Sequence, residues 1–286
     1  MNAVIPSTVA NKCPPGTKLH VLHLGYLQAD AGWFLRGANT SLMSNPNPHK
    51  NKEPERRDLV MYCCLIDIPG VGPILWETGC GKDYPEIWGA PVNDIFARSK
   101  YDESQELDAA LGKIGYKISD IKAVVIGHLH LDHAGGLMHF KDTDVPIWVH
   151  KLELENAFYS CATGADDAVY QAHYLLPKAF NWKTFDDRTV DFAPGLTLHH
   201  LPGHTVGLCG LQINLINDGT FIFVSDHGHV KENIWPGVPQ GWLARDHQAW
   251  WHSNQRLLRL EQATAAKVIP GHDEDIATPL FGKVFT

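Results

Sequence analysis

The chain has 286 residues, 44% of them hydrophobic, enough to bury a large core in one domain or two. A net charge of −8, with no basic run longer than Arg56-Arg57, argues against a nucleic-acid surface. No apolar run approaches the ~20 residues of a membrane span, and the start MNAVIPSTVANKCPPG lacks the basic head and apolar stretch of a secretory signal.

In chain order, residues 19–24 and 59–68 alternate or run apolar. Residues 73–77 return after Pro69-Gly70-Val71-Gly72. All three are predicted strands, the last two joined by a Gly/Pro turn. Adjacent Cys63-Cys64 falls in the second run, and none of the six cysteines forms a C-x-x-C pair. Cys63 and Cys64 read as buried thiols, and the features together suggest a soluble protein from a reducing compartment, most simply the cytosol. Residues 104–114 place Leu107, Ala110, Leu111 and Ile114 at helical spacing and stop at Gly115.

Residues 121–126 are a short apolar strand, 146–150 another, and a helix follows from about 151 to 157. Residues 158–185 have no clean period and read as an insertion near the active site. Strand patterns resume at 196–201, 208–215 and 220–225. A helix then spans about 246–262, and a last short strand covers 267–269. Strand and helix sections recur in both halves without a linker, which favours one α/β domain over residues 1–286.

Histidine departs most from average, at 17 residues. Directly after the strand at 121–126 comes GHLHLDHAGG, which crowds His128, His130, Asp132 and His133 into six positions. Imidazole and carboxylate suit Zn²⁺. Four such donors cannot all reach one tetrahedral ion from so short a loop, whereas two neighbouring ions fit if later segments contribute. Three further donors stand just after predicted strands: His204 in LPGHTVG, Asp226 in VSDHGH and His272 in IPGHDED. A lone histidine beside a glycine is usually a loop residue, but this cluster and three strand-end donors in order point to a metal site.

The motifs PILWETG, HLHLDHAGG, PGHTVG, Lys231–Asn233 and GHDED resemble the metallo-β-lactamase superfamily, and within it the quorum-quenching N-acyl homoserine lactone lactonases. The likeness covers about residues 59–276. It implies a four-layer αββα sandwich. It also implies two Zn²⁺ ions, one held by His128, His130 and His204, the other by Asp132, His133 and His272, with Asp226 bridging. The implied function is a dinuclear zinc hydrolase that opens a small cyclic ester or amide by hydroxide attack on the ring carbonyl. Asp132 would steady the nucleophile or carry a proton. Partners reduce to a small-molecule substrate, with no nucleic acid and no membrane; a homodimer is left open.

The chain departs from the lactonase pattern three residues after the bridging aspartate, where relatives carry tyrosine and this sequence has His229. A nitrogen leaving group departs poorly unless protonated, and imidazolium is better matched to that task than phenol. The alternative function is therefore a lactamase or cyclic carbamate hydrolase detoxifying an aromatic xenobiotic. Trp33, Trp88 and Trp235 lie on predicted loops that could ring the metal mouth and take a flat substrate.

Rival readings fare worse. Glyoxalase II–like members need a C-terminal helical region, and only 14 residues follow His272. Flavodiiron-type members carry Glu where this chain has His130. The non-enzyme alternative is a binding module stabilised by metal, but structural zinc sites are closed and often Cys-rich, whereas seven His/Asp donors leave positions open. Glu77 is expected to support the site from below, Thr205 and Asp273 to orient neighbouring ligands, and Lys231 and Glu232 to be an exposed pair. His139, His150, His173, His199 and His200 are expected to be packed or solvated.

Overall fold

The computed structural model describes residues 11–39 and 55–286. The expectation about a signal sequence falls largely on residues 1–10 and lies outside the described residues. A period of two along the long strands sets the architecture. In β2 (Arg56–Ile68), Met61, Cys63 and Leu65 enter one core, while Val60, Tyr62, Cys64 and Ile66 enter another. A strand apolar on both faces has to be covered on both. Helices cover one face here and a second sheet covers the other.

The first sheet has eight strands. They are β1 (Lys18–Asp30), β2, β3 (Gly72–Trp76), β4 (Ala97–Lys100), β5 (Ala123–Val125), β6 (Pro146–His150), β7 (Asn181–Phe185) and β13 (Val284–Phe285). Their order is β13-β1-β2-β3-β5-β6-β7, with β4 also paired to β1. The second sheet holds β8 (Thr189–Ala193), β9 (Leu196–His200), β10 (Cys209–Asn214), β11 (Thr220–Phe223) and β12 (Lys267–Ile269), in the order β12-β11-β10-β9-β8. Between the sheets, Cys64, Ile66 and Trp76 pack with Leu198, Leu211 and Phe223.

The short helices α1 (Tyr84–Trp88), α2 (Val92–Ile95), α3 (Leu107–Lys113) and α4 (Leu131–Ala134), and the longer α5 (Lys151–Thr163), cover the outer face of the first sheet. After α6 (Lys231–Ile234), α7 (His247–Thr264) buries Trp250, Ser253, Asn254 and Leu257 at helical spacing. Leu257 packs with Ile222, Val224 and Val268 on the outer face of the second sheet. α8 (Glu274–Ala277) follows β12. The layers run helix, sheet, sheet, helix: the expected αββα sandwich.

Three elements differ from the sequence reading. β1 continues past residue 24 to Asp30, because the break in its alternation is a bulge between His23 and Tyr26 with Gly25 at φ +96°. The helix expected at 104–114 is interrupted: a capped turn at Glu103–Gln105 precedes extended Glu106, and only Leu107–Lys113 is α-helical. Residues 158–185, read as an insertion, are tied into the fold at both ends, and Val169 within them lines the cleft. Residues 158–163 complete α5, and β7 pairs in parallel with β6 at the edge of the sheet. Its period is weak because an edge strand is half solvated.

Candidate metal centre

The site forms where strands of both sheets end on the same side. β5 gives way to Gly127, and a side chain there would lie 2.5 Å from Oε1 of Glu77 and 2.9 Å from the Cys209 carbonyl. Only glycine lets the two sheets close at this point. The ligand loop then enters α4, which carries Asp132 and His133, and ends at Gly135. A Cβ on Gly135 would sit 1.9 Å from the Cys80 carbonyl, so the paired glycines of the motif let it pack on the turn after β3.

The structure brings the seven predicted ligands together. His128, His130 and His204 form one group and Asp132, His133 and His272 another, the donor atoms within each lying within 4.8 Å of one another. Asp226 stands between them and divides its oxygens. Oδ2 lies 3.7 Å from Nε2 of His128 and 3.4 Å from Nε2 of His204. Oδ1 lies 3.2 Å from Nε2 of His133 and 3.0 Å from Nε2 of His272.

The outer ring nitrogens are held from behind. Nδ1 of His128 meets Ser225 Oγ at 3.1 Å, Nδ1 of His204 meets Gln240 Oε1 at 3.1 Å, and Nδ1 of His272 meets the Val60 carbonyl at 3.0 Å. Such contacts leave Nε2 facing the centre. Glu77, buried and at φ +62°, accepts from Ser225 Oγ at 2.8 Å and Gly127 N at 3.3 Å, and its Oε1 lies 3.4 Å from Nδ1 of His133.

Electrostatics separate the two groups. Burial, with neighbouring imidazoles, drives His128, His130 and His204 well below the ordinary histidine pKa. Burial also opposes the charge on His133, but the carboxylates of Glu77, Asp226 and Asp132 outweigh it and raise its pKa well above the ordinary value. Burial of Asp226 is outweighed in the same way by His229, His272 and His133, which hold it well below the usual carboxylate range.

The donor set fits metal ions. Nε2 of His128, Nε2 of His133 and Oδ1 of Asp226 are buried without a hydrogen bond, a costly arrangement unless a cation satisfies them. His229 also converges. Its Nε2 lies 3.1 Å from Asp226 Oδ2, its ring stacks on His272, and it lines the cleft with Leu27, Leu59, Phe96, Val169 and Leu243. His227 instead packs on Trp250 and meets Asn254, away from that cleft.

The tryptophan expectation needs correction. Trp88 is buried in the core against Tyr84, and Trp235 lies on the surface with Nε1 donating to Glu261. Neither lines the cleft. Trp33 stands behind it, edge-on to Phe96 at 5.5 Å. Lys231 and Glu232 are not partners of each other, since Lys231 pairs with Asp275 and Glu232 with Arg57. Asp273 caps α8 and accepts from Lys231 N. Of the other histidines, His150 stacks on His200, His199 meets Gln212, and His173 meets Asp83.

Three buried partners escaped sequence reading, among them Ser225 beside the predicted Asp226. Gln240 comes from an irregular loop with no pattern to mark it. Glu153 lies on the buried stripe of α5 with Ala157 and Ser160, and a carboxylate on such a stripe is the signal that could have found it.

Paired donor groups at the seam of an αββα sandwich define a metal-dependent hydrolase. The chain belongs to the metallo-beta-lactamase superfamily, whose family profile matches residues 61–272. An N-acyl homoserine lactonase from a Bacillus species is 30% identical over 223 residues, covering 77% of this chain and 83% of that protein. N-acyl homoserine lactonase AiiB of Agrobacterium fabrum is 26% identical over 272 residues, covering 91% and 95%. A solved structure of a B. thuringiensis AiiA variant with N-decanoyl-L-homoserine bound at the active site superimposes with a TM-score of 0.76 at 25% identity, covering 94% of this chain and 98% of that one.

Proposed function

We propose that the protein is a two-zinc lactonase. His128, His130 and His204 would hold the first ion, Asp132, His133 and His272 the second, and Asp226 would serve both. The observation that carries this reading is the division of the Asp226 oxygens between the two groups. The relatives named above support a lactone substrate and do not favour the cyclic amide alternative.

Zinc in such a pair supplies a Lewis acid and lowers the pKa of water toward neutrality. The chain's residues do the rest. Asp132 lines the cleft and is in place to accept a hydrogen bond from the nucleophile or pass a proton to the leaving oxygen. His229, on the same cleft, offers a hydrogen bond to the ring carbonyl or a proton to the leaving group. Leu27, Leu59, Phe96, Leu131, Val169 and Leu243 exclude water and receive the apolar part of the substrate. Six free cysteines, five of them buried, support a reducing compartment.

The test couples elemental analysis to a rate panel of acyl homoserine lactones, aromatic lactones and matched lactams. Two zinc ions per chain and chelator-sensitive lactone opening are expected. Protein reconstituted with zinc that opens no lactone would overturn the reading.

A further inference from the structure

Glu153 lies on α5, is fully buried, and directs its hydrogen bonds to none of the seven candidate ligands. Its two oxygens take four donors. Oε1 accepts from Leu129 N at 2.9 Å and the Tyr170 hydroxyl at 3.0 Å. Oε2 accepts from Thr205 Oγ1 at 2.5 Å and Gly207 N at 3.2 Å.

The identity of those partners carries the argument. Leu129 is the residue between His128 and His130, and Thr205 directly follows His204. Tyr170 lays its ring edge-on to His130, with centroids 4.8 Å apart. Every histidine of the first group is therefore one residue, or one ring contact, from a group fastened to this carboxylate. None of Asp132, Asp226 and His272 adjoins one of its partners, and His133 is braced by Glu77 instead. The packing agrees: a Cβ on Gly207 would come within 2.2 Å of Glu153 N, so the PGHTVG loop is pressed onto the start of α5.

We infer that Glu153 is a positioning residue that gathers the first metal site selectively, by tying the loop after β5 to the loop after β9 through one buried carboxylate. This rests on the two-zinc reading above. A carboxyl group is required rather than an amide, because each oxygen faces one backbone N–H that can only donate, and both carboxyl oxygens can accept. Glutamine would turn its NH2 toward Leu129 N or Gly207 N whichever way the amide flips, and either orientation sets donor against donor.

The test is Zn²⁺ titration of metal-free full-length protein against a chromogenic chelator. It is applied to the wild type, Glu153→Gln and the milder Thr205→Val, each also placed on His204→Ala and His272→Ala backgrounds. Positioning partners of metal ligands typically cost about 10–100-fold in affinity when removed. Glu153→Gln should weaken one of two Zn²⁺ constants by that amount. It should do so on the His272→Ala background, where the first site remains, and leave the constant measured on the His204→Ala background unchanged.

Equal weakening on both backgrounds, or two constants within threefold of wild type, overturns the inference. Should Glu153→Gln not fold, Thr205→Val decides on the same criteria. Wild-type protein binding fewer than two Zn²⁺ would instead sink the two-zinc reading, and this inference with it.

Discussion

Nε2 of His229 lies 3.1 Å from Oδ2 of Asp226, on the side of that carboxylate facing His128 and His204. An imidazole thus stands beside the shared carboxylate and on the wall of the cleft. Replacing it by tyrosine keeps a hydrogen-bond donor and removes the ring proposed to protonate a leaving nitrogen. His229→Tyr is expected to lower the rate on a lactam relative to its matched lactone by about 10²-fold, the low end of general-acid catalysis. Rates that change in parallel on both substrates would remove the proton-donor role.

Ser225 joins Glu77 to His128, with its hydroxyl 2.8 Å from the first and 3.1 Å from the second. Ser225→Ala frees the His128 ring and deprives a buried carboxylate of a donor. The expected cost is about 1–3 kcal/mol of stability and about 10–100-fold in metal affinity, read by urea unfolding and by chelator competition. Wild-type affinity in this variant would show that Ser225 does not orient the ring.

Removing metal should lower the melting temperature. One ion that binds the native state alone, present at 100 times its Kd, adds about 2.7 kcal/mol, which for a chain of this size corresponds to a shift of roughly 4–5 °C per ion. Scanning calorimetry with and without chelator measures it. An unchanged melting temperature would mean that the seven donors do not grip metal in the folded protein.

The pKa of His199 is pushed down to about 4 by burial, with Arg256 beside it and against the hydrogen bond to Gln212. Between pH 6.5 and 4 the unfolded chain therefore binds a proton that the native state refuses, so stability falls as pH drops through that window. The slope from this one group is up to about 1.4 kcal/mol per pH unit. His199→Gln should flatten the wild-type profile by that amount in urea titrations between pH 4 and 7. Parallel profiles would show that the ring protonates freely in the fold.

Much of the site was legible because metal donors are rare residue types crowded at strand ends. Placing His128, His130, Asp132 and His133 required only that β5 end where its apolar run ends. Glu153, Gln240 and Ser225 were not singled out, because what marks them is a partner brought in from elsewhere in the chain, which spacing does not report. The tryptophans misled for a related reason. Trp88 and Trp235 both precede turn residues in sequence, and only tertiary packing decides that one joins the core while the other reaches Glu261 on α7. In the fold, β7 was hidden because an edge strand has no full apolar face to display, and the run of β1 past residue 24 because its bulge resets the period.

Each candidate triad takes two members from the loop after β5 and one from a loop of the second sheet, His204 or His272. Neither group can therefore assemble on the first sheet alone, and closing either one is the same event as seating the two sheets against each other.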